Sequence, residues 1–249
     1  MPDDTNMGGA SPRFPQTRWS LLVAARSDRP GERHRALDAL IAAYWKPVYK
    51  YIRLRWNKSN DDAKDLTQEF FTRVLEKDFL ASYDPARARL RTFLRTCVDG
   101  LVINQEKASH RLKRGGDIQM LALDYETAEG ELAQIEIPAP ETMDDFFARE
   151  WARSLFSLAV ERLRQECEAR GKQTHFLLLE LYDIEEGGKQ LTYEQVARQF
   201  HIKATDVTNY LAWARREFRR IVLDQLRQMT ASEDEFRREA RALLGVDVP

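Results

Sequence analysis

The stretch that decides the fold is residues 60–116, NDDAKDLTQEFFTRVLEKDFLASYDPARARLRTFLRTCVDGLVINQEKASHRLKRGG. Its first part has apolar residues at three- and four-residue steps, which predicts an amphipathic helix with an acidic polar face. Asn60 or Asp61 can cap that helix. After a turn at Asp84 and Pro85, a second helix combines an apolar stripe with an arginine-rich polar face. The stretch therefore predicts two neighbouring helices, the first acidic and the second basic.

Charge and cysteine content restrict the class of protein. The 249 residues carry 39 Lys and Arg against 40 Asp and Glu, so the chain as a whole is not a basic nucleic-acid binder. Basic residues instead gather at 87–114 and 215–220, and acidic residues at 117–150. Cys97 and Cys167 fall on apolar helix faces, which favours buried thiols and a reducing cytosol. No apolar run is long enough to cross a membrane, and the first residues lack the features of a signal peptide.

The helical patterns predict an all-α fold with two helical domains joined by an acidic linker. The segments are a disordered arm at 1–16, a helical domain at 17–114, the linker at 115–142, a second helical domain at 143–230 and a C-terminal helical extension at 231–249. Pro47 lies inside a long helical pattern, where it predicts a kink or a break. Asp144 or Asp145 can cap the first helix of the second domain.

Residues 191–220, LTYEQVARQFHIKATDVTNYLAWARREFRR, have the form of a helix-turn-helix. Thr192 and Gln195 have the spacing of a capping box at the start of the first helix. His201 and Ile202 form the turn, and Thr205 opens the second helix. The polar face of this second helix has the side chains that a DNA major groove would meet.

The segments DLTQEFFTRVLEK and RLRTFLRTCVDGLVINQ resemble the core domain of bacterial RNA polymerase sigma factors of the sigma-70 family, extracytoplasmic-function (ECF) type. The resemblance runs from about Thr17 to the C-terminus and includes the helix-turn-helix. It implies that the chain binds core RNA polymerase and promoter DNA in the cytoplasm. It leaves open an anti-sigma factor as a further partner. In such proteins the linker passes close to the polymerase active site, where the acidic residues would imitate nucleic acid.

The resemblance assigns three groups of candidate site residues. The acidic helix would dock on polymerase through Asp65, Gln68, Glu69 and Arg73. The basic helix and the residues after it would hold the downstream promoter element through Arg91, Phe93, Arg95, Asn104, Lys107, Arg111, Lys113 and Arg114. The helix-turn-helix would read the upstream element through Thr205, Asp206, Thr208, Asn209, Trp213, Arg216 and Arg219.

Several residues depart from the family pattern. His201 stands where the family usually has glycine at the turn, so we expect a histidine in the left-handed backbone region. Thr208 and Asn209 stand where basic residues are usual, which predicts weak DNA binding by this domain alone. Asp99 and Gly100 also differ from the family pattern near the element that melts DNA.

No pattern predicts an enzyme, a metal site or a cofactor, because the four histidines are scattered and no nucleophile or metal-ligand motif occurs. Two alternatives to a sigma factor remain open. One is a stand-alone helix-turn-helix repressor, which would dimerise on a palindromic site. The other is a protein that binds polymerase but has no promoter activity.

Overall fold

The computed structural model describes residues 24–25, 29–76, 79–108, 122–135, 139, 142–184 and 191–245. These residues form nine α-helices and no β-strand, which confirms the predicted all-α class. In chain order the helices are α1 Pro30–Arg55, α2 Asn60–Leu75, α3 Leu90–Ala108, α4 Tyr125–Leu132, α5 Met143–Ala169, α6 Gln173–Leu179, α7 Tyr193–Gln199, α8 Ala204–Gln228 and α9 Glu233–Leu244. No helix among them is both long enough and apolar enough to cross a membrane. The predicted arm at 1–16 lies outside the described residues.

Three details of the helices differ from the sequence-based expectations. Ser59, not Asn60 or Asp61, caps α2: its side chain accepts a hydrogen bond from the Asp62 amide, because the helix already begins at Asn60. Thr142 precedes α5, so Asp144 and Asp145 lie in its first turn rather than at its cap. Of the kink or break predicted at Pro47, the break is absent, because α1 continues through Pro47 to Arg55.

Helix α1 is the centre of the main hydrophobic core. It packs against α5 and α2, and the buried cluster continues through α3, α4, α8 and α9. Tyr44 of α1 stacks on Trp151 of α5, with ring centroids 6.1 Å apart. A second, smaller cluster lies between α6, α7 and the start of α8; its fully packed members are Leu178, Val196, Ala197, Val207 and Leu211. The main core therefore includes helices from both predicted domains, and the domain boundaries stay a prediction.

Part of the predicted linker is a helix packed on α1. Tyr125, at the start of α4, makes edge contacts with Tyr49 at 4.9 Å and with Trp45 at 5.6 Å. Glu129 accepts a hydrogen bond of 2.6 Å from the Tyr49 hydroxyl and one of 2.7 Å from Arg53 Nε. These contacts hold residues 122–135 against α1.

A buried ion network joins α1, α4 and α5. The Lys50 ammonium lies 2.6 Å from Glu150 Oε2 and 2.6 Å from Glu131 Oε2, and the Lys50 and Glu150 side chains are each only 2% exposed. Lys46 donates a further hydrogen bond of 2.6 Å to Glu131. Because a buried charge without a partner is strongly destabilising, this network fixes the position of the three helices relative to one another.

Candidate functional site

The acidic face of α2 is the first part of the candidate site. Asp65 is exposed, and Glu69 lies one turn further along the same face. Glu69 accepts a hydrogen bond of 2.5 Å from Arg73 and one of 2.6 Å from Gln105 Nε2 of α3. The polar faces of α2 and α3 are thus joined, and Asp65, Glu69 and Arg73 form a continuous charged surface.

Gln68 is not part of that open surface, contrary to the expectation from the sequence. It is 8% exposed, because α4 covers this part of α2. The Tyr125 side chain of α4 packs next to Gln68. Burial raises the pKa of the Tyr125 phenol to about 12, and the hydrogen bond with the Gln68 side chain acts to lower that pKa. The ammonium of Lys64 lies 5.9 Å from the Tyr125 ring centroid. Sequence periodicity placed Gln68 correctly on α2 but carried no information about a helix packed on it.

The arginines at the start of α3 are paired with carboxylates of the C-terminal half of the chain. Arg91 donates to Glu239 Oε2 of α9, and its guanidinium lies 5.2 Å from the Trp151 ring. Arg89 Nη1 lies 2.9 Å from Glu239 Oε1. The Glu239 side chain is 3% exposed and that of Arg91 is 17% exposed. Arg91, a predicted DNA contact, is therefore largely covered.

Arg95 is engaged in the same way. Its Nε lies 3.1 Å from Asp144 Oδ1 of α5, and its Nη1 lies 3.0 Å from Asp99 Oδ2. The Tyr51 hydroxyl is a third partner, at 3.3 Å. Partial burial would lower the pKa of Arg95, but Tyr51, Asp144 and Asp99 outweigh it and raise the pKa. The charge of Arg95 is thus compensated within the fold.

The remaining candidates on and after α3 divide into three groups. Phe93 is half-buried between Phe79, at 5.8 Å, and Tyr83, at 5.2 Å, so it packs in the fold instead of projecting as a free ring. Asn104 and Lys107 are exposed near the end of α3. The other three, Arg111, Lys113 and Arg114, lie outside the described residues.

The second part of the candidate site is α7, the turn at residues 200–203 and α8. The predicted capping box is present: the Gln195 amide donates to Thr192 Oγ1 at 3.3 Å, and the Thr192 amide donates to Gln195 Oε1 at 2.8 Å. His201 has a φ of +53°, which confirms the predicted left-handed turn. Helix α8 begins at Ala204, one residue before the predicted Thr205.

Most of the predicted DNA-reading face of α8 is open. Its exposed members are Thr205, Thr208, Asn209, Arg216 and Arg219. Asp206 is half-buried and accepts a hydrogen bond of 3.2 Å from the Lys203 amide, which caps the helix.

Trp213 and two further arginines of α8 have partners inside the fold. Trp213 is half-buried: it makes an edge contact with His175 of α6 at 5.0 Å, and the Lys172 ammonium lies 4.2 Å from its ring, so its contact with a DNA groove stays a prediction. The partial burial comes from α6, which packs along α8. Arg215 pairs with Asp183 at 2.8 Å. Arg220 likewise pairs with Glu166 at 2.7 Å.

Glu239 is the functional candidate that sequence reasoning missed. It stands three residues after Phe236 and one before Ala240, both fully buried, so its spacing puts a carboxylate on the apolar face of α9. A buried carboxylate requires a cationic partner, and this was a signal in the sequence that a basic residue elsewhere must reach it. The tertiary packing decides which basic residues reach this carboxylate, and here they are Arg89 and Arg91.

The described residues contain no cluster of His, Cys, Asp and Glu side chains that could hold a metal ion. In a comparison with known families, residues 40–111 match the family model for Sigma-70 region 2. No curated protein and no solved structure matches the chain. The match covers most of α1 and all of α2 and α3, and it ends before α4. The likeness to that family therefore rests on residues 40–111, less than a third of the chain.

Proposed function

We propose that this chain, whose residues 40–111 match Sigma-70 region 2, is a sigma factor of the ECF type that directs core RNA polymerase to its promoters. The family match across α2 and α3 is the observation that carries the proposal. It coincides with the acidic face of α2 and the basic residues of α3, the two surfaces that the function needs. The chain would act in the cytoplasm with polymerase and promoter DNA, without a cofactor or catalytic site of its own.

In this proposal α2 binds polymerase through its charged surface of Asp65, Glu69 and Arg73. Asn104 and Lys107, at the open end of α3, contact the downstream promoter element. The exposed polar face of α8 reads base edges of the upstream element in the major groove. Two weak DNA contacts held on one polymerase gain affinity from their effective concentration, so neither surface needs to bind DNA tightly alone.

The test is transcription in vitro. The purified chain is mixed with core RNA polymerase and a library of genomic fragments, and the transcripts are sequenced. We expect transcripts that start at a common set of sites sharing two sequence elements. Polymerase with no added chain is the control. Transcripts that are the same with and without the chain would contradict the proposal.

The docking surface has its own variant. Asp65→Lys combined with Glu69→Lys reverses the charge of the α2 surface, and we expect it to abolish binding to core polymerase in a pull-down or by fluorescence anisotropy. Glu194→Lys, at an exposed position of α7, is the control for a charge reversal away from this surface. Circular dichroism checks that the helices remain. Unchanged polymerase binding by the double variant would remove the docking assignment.

One observation favours a second candidate, a protein that binds polymerase without promoter activity. Arg91 and Arg95 of α3 are both paired with carboxylates of the same chain, which weakens the case for DNA melting by this helix. The same two experiments separate the candidates. Polymerase binding without any promoter-specific transcript would favour this second function.

A further inference from the structure

We propose that Glu239 of α9 occupies the place of a DNA phosphate on Arg89 and Arg91, so that α9 holds the promoter-binding face of α3 closed in the free chain. The inference rests on the proposed function, since it concerns the regulation of the same DNA-binding helix. Opening of the contact would make both arginines available to nucleic acid once the chain is on its promoter.

The geometry of the contact is that of anion recognition. Two guanidinium groups approach the two oxygens of one carboxylate: Arg91 donates a hydrogen bond to Oε2, and Arg89 Nη1 lies 2.9 Å from Oε1 as an ion pair without hydrogen-bond geometry. Guanidinium groups bind carboxylate and phosphate oxygens with the same charge-assisted hydrogen bonds. A phosphodiester offers the same negative charge and two comparable acceptor oxygens. Glu239 and DNA are therefore alternative ligands for the same two side chains.

The contact is protected from water on one side and open on the other. Glu239 is 3% exposed and Arg91 is 17% exposed, while Arg89 is 41% exposed and forms the open edge. Two buried neighbours on α9, Phe236 and Ala240, hold Glu239 in place. A ligand that displaces Glu239 must displace the part of α9 that carries it. Closure thus depends on the position of a helix and not only on one side-chain rotamer.

A second contact reinforces the closure. Arg95, one turn after Arg91 on α3, is paired with Asp144 of α5 at 3.1 Å. Arg89, just before α3, and Arg91 and Arg95 within it are therefore paired with carboxylates that come from later parts of the chain. These carboxylates lie outside the matched family segment of residues 40–111. The regulation is a property of the C-terminal half acting on α3.

Helix α9 is suited to open without loss of the whole fold. It is a 12-residue helix that follows α8 after the short segment at residues 229–232. Its first turn has its own cap, because Ser232 Oγ accepts from the Glu235 amide at 3.1 Å. Single helices can open locally at a lower free energy than the whole fold. Phe236 and Ala240 belong to the main core, and we expect the rest of that core, around α1 and α5, to stay packed when α9 moves.

The first test removes the charge of Glu239. Glu239→Gln keeps the shape of the side chain and is compared with Glu233→Gln, which makes the same charge change on the same helix without contacting α3. The probe is a fluorescent duplex oligonucleotide of mixed sequence with a central unpaired bubble. At low salt we expect Glu239→Gln to bind this probe about three- to tenfold more tightly than Glu233→Gln does. The slope of log K against log salt concentration should also be steeper by about one to two. Equal binding by the two variants would overturn the proposal.

The arginines supply a second arm of the same test. Adding Arg89→Ala and Arg91→Ala to Glu239→Gln is expected to remove the gain in affinity and in salt slope. A gain that survives loss of both arginines would mean that the freed surface is elsewhere, and would overturn the proposal. Thermal unfolding followed by circular dichroism confirms that each variant is folded at the assay temperature.

A measurement on the unchanged chain does not depend on the folding of any variant. Amide hydrogen exchange of residues 233–244 is followed in the free chain and in its complex with core polymerase and a promoter fragment. We expect α9 to lose protection in the promoter complex. Unchanged protection of α9 in a complex that transcribes would overturn the inference while leaving the proposed function intact. A failure of the proposed function would instead appear as an absence of promoter-specific transcripts from the unchanged chain.

Discussion

At the scale of single residues, the turn between α7 and α8 holds His201 in an unfavourable backbone conformation. Its φ of +53° lies in the left-handed region, which glycine adopts without strain and other residues adopt at a cost of about 1 kcal/mol. The turn must reverse the chain between α7 and α8 so that Val196 and Leu211 can meet in the small core. The packing of these two helices therefore maintains the strained residue.

We expect His201→Gly to stabilise the α7–α8 lobe by up to about 1 kcal/mol, because glycine relieves the strain at no steric cost. His201→Val should destabilise it by more than that, since a β-branched side chain tolerates positive φ least. Hydrogen exchange of the α7 amides at constant pH measures both effects. Equal protection in the glycine and valine variants would show that the turn is not strained.

Single residues also show which structural details can be predicted from the sequence. The capping box of Thr192 and Gln195 and the left-handed His201 followed from local spacing, and the structure confirms them. Gln68 and Trp213 were assigned to open faces, but each lies under a helix that comes from a distant part of the chain. Local spacing gives the face of a helix on which a residue lies; it does not say what packs on that face.

At the scale of elements, α4 is the helix that composition predicted least well. Residues 115–142 are rich in carboxylates, glycine and proline, which favours a linker. Within that segment, Tyr125 and Ala128 supply apolar contacts, and Glu129 and Glu131 find cationic partners on α1. The carboxylates that suggested a loose strand are thus the groups that attach α4. They are also less free to imitate nucleic acid than the linker hypothesis required.

The attachment of α4 should weaken in acid. The hydrogen bond from Arg53 lowers the pKa of Glu129. Burial alone would raise the pKa of Glu131, but the hydrogen bonds from Lys46 and Lys50 outweigh burial and lower that pKa. Their stabilising contribution is complete above the usual glutamate pKa of about 4.3 and is lost as the pH falls through the lowered values. We expect residues 122–135 to lose hydrogen-exchange protection below about pH 4, after correction for the intrinsic rate.

The same release should occur at pH 7 when the charges are removed. Glu129→Gln combined with Glu131→Gln should expose α4, whereas Glu126→Gln, at an exposed position in the first turn of the same helix, should leave its protection unchanged. Protection that is the same in the double variant and in the control would show that the aromatic contacts alone hold α4.

At the scale of the whole molecule, the sequence predicted two helical domains, and the part of the chain that the structure describes has one large core and one small one. The large core joins α1–α3 to α5, α8 and α9, and the small core lies between α6, α7 and the start of α8. Helix periodicity predicted most of the helices. The arrangement of the cores could not be predicted, because it depends on which apolar faces meet, and α5 and α8 both have partners on either side.

The two cores predict different responses to loss of packing. Leu155→Ala removes a fully buried side chain from α5 and should lower the free energy of unfolding of the main core by about 2–5 kcal/mol, seen as a lower calorimetric midpoint. Val196→Ala, in the small core, should leave that midpoint nearly unchanged and increase hydrogen exchange in α7. If both variants lower the midpoint equally, the molecule unfolds as one cooperative unit.

The buried ammonium of Lys50 has a consequence for any attempt to isolate the family-matched portion of this chain. Both of its anionic partners, Glu131 and Glu150, come after residue 111, where the match ends. A shortened gene product that stopped there would keep every matched residue but lose both carboxylates, and it would also lose α5, which covers the apolar face of α1. We therefore expect that the matched segment does not fold alone, and that the smallest self-sufficient piece extends at least through α5.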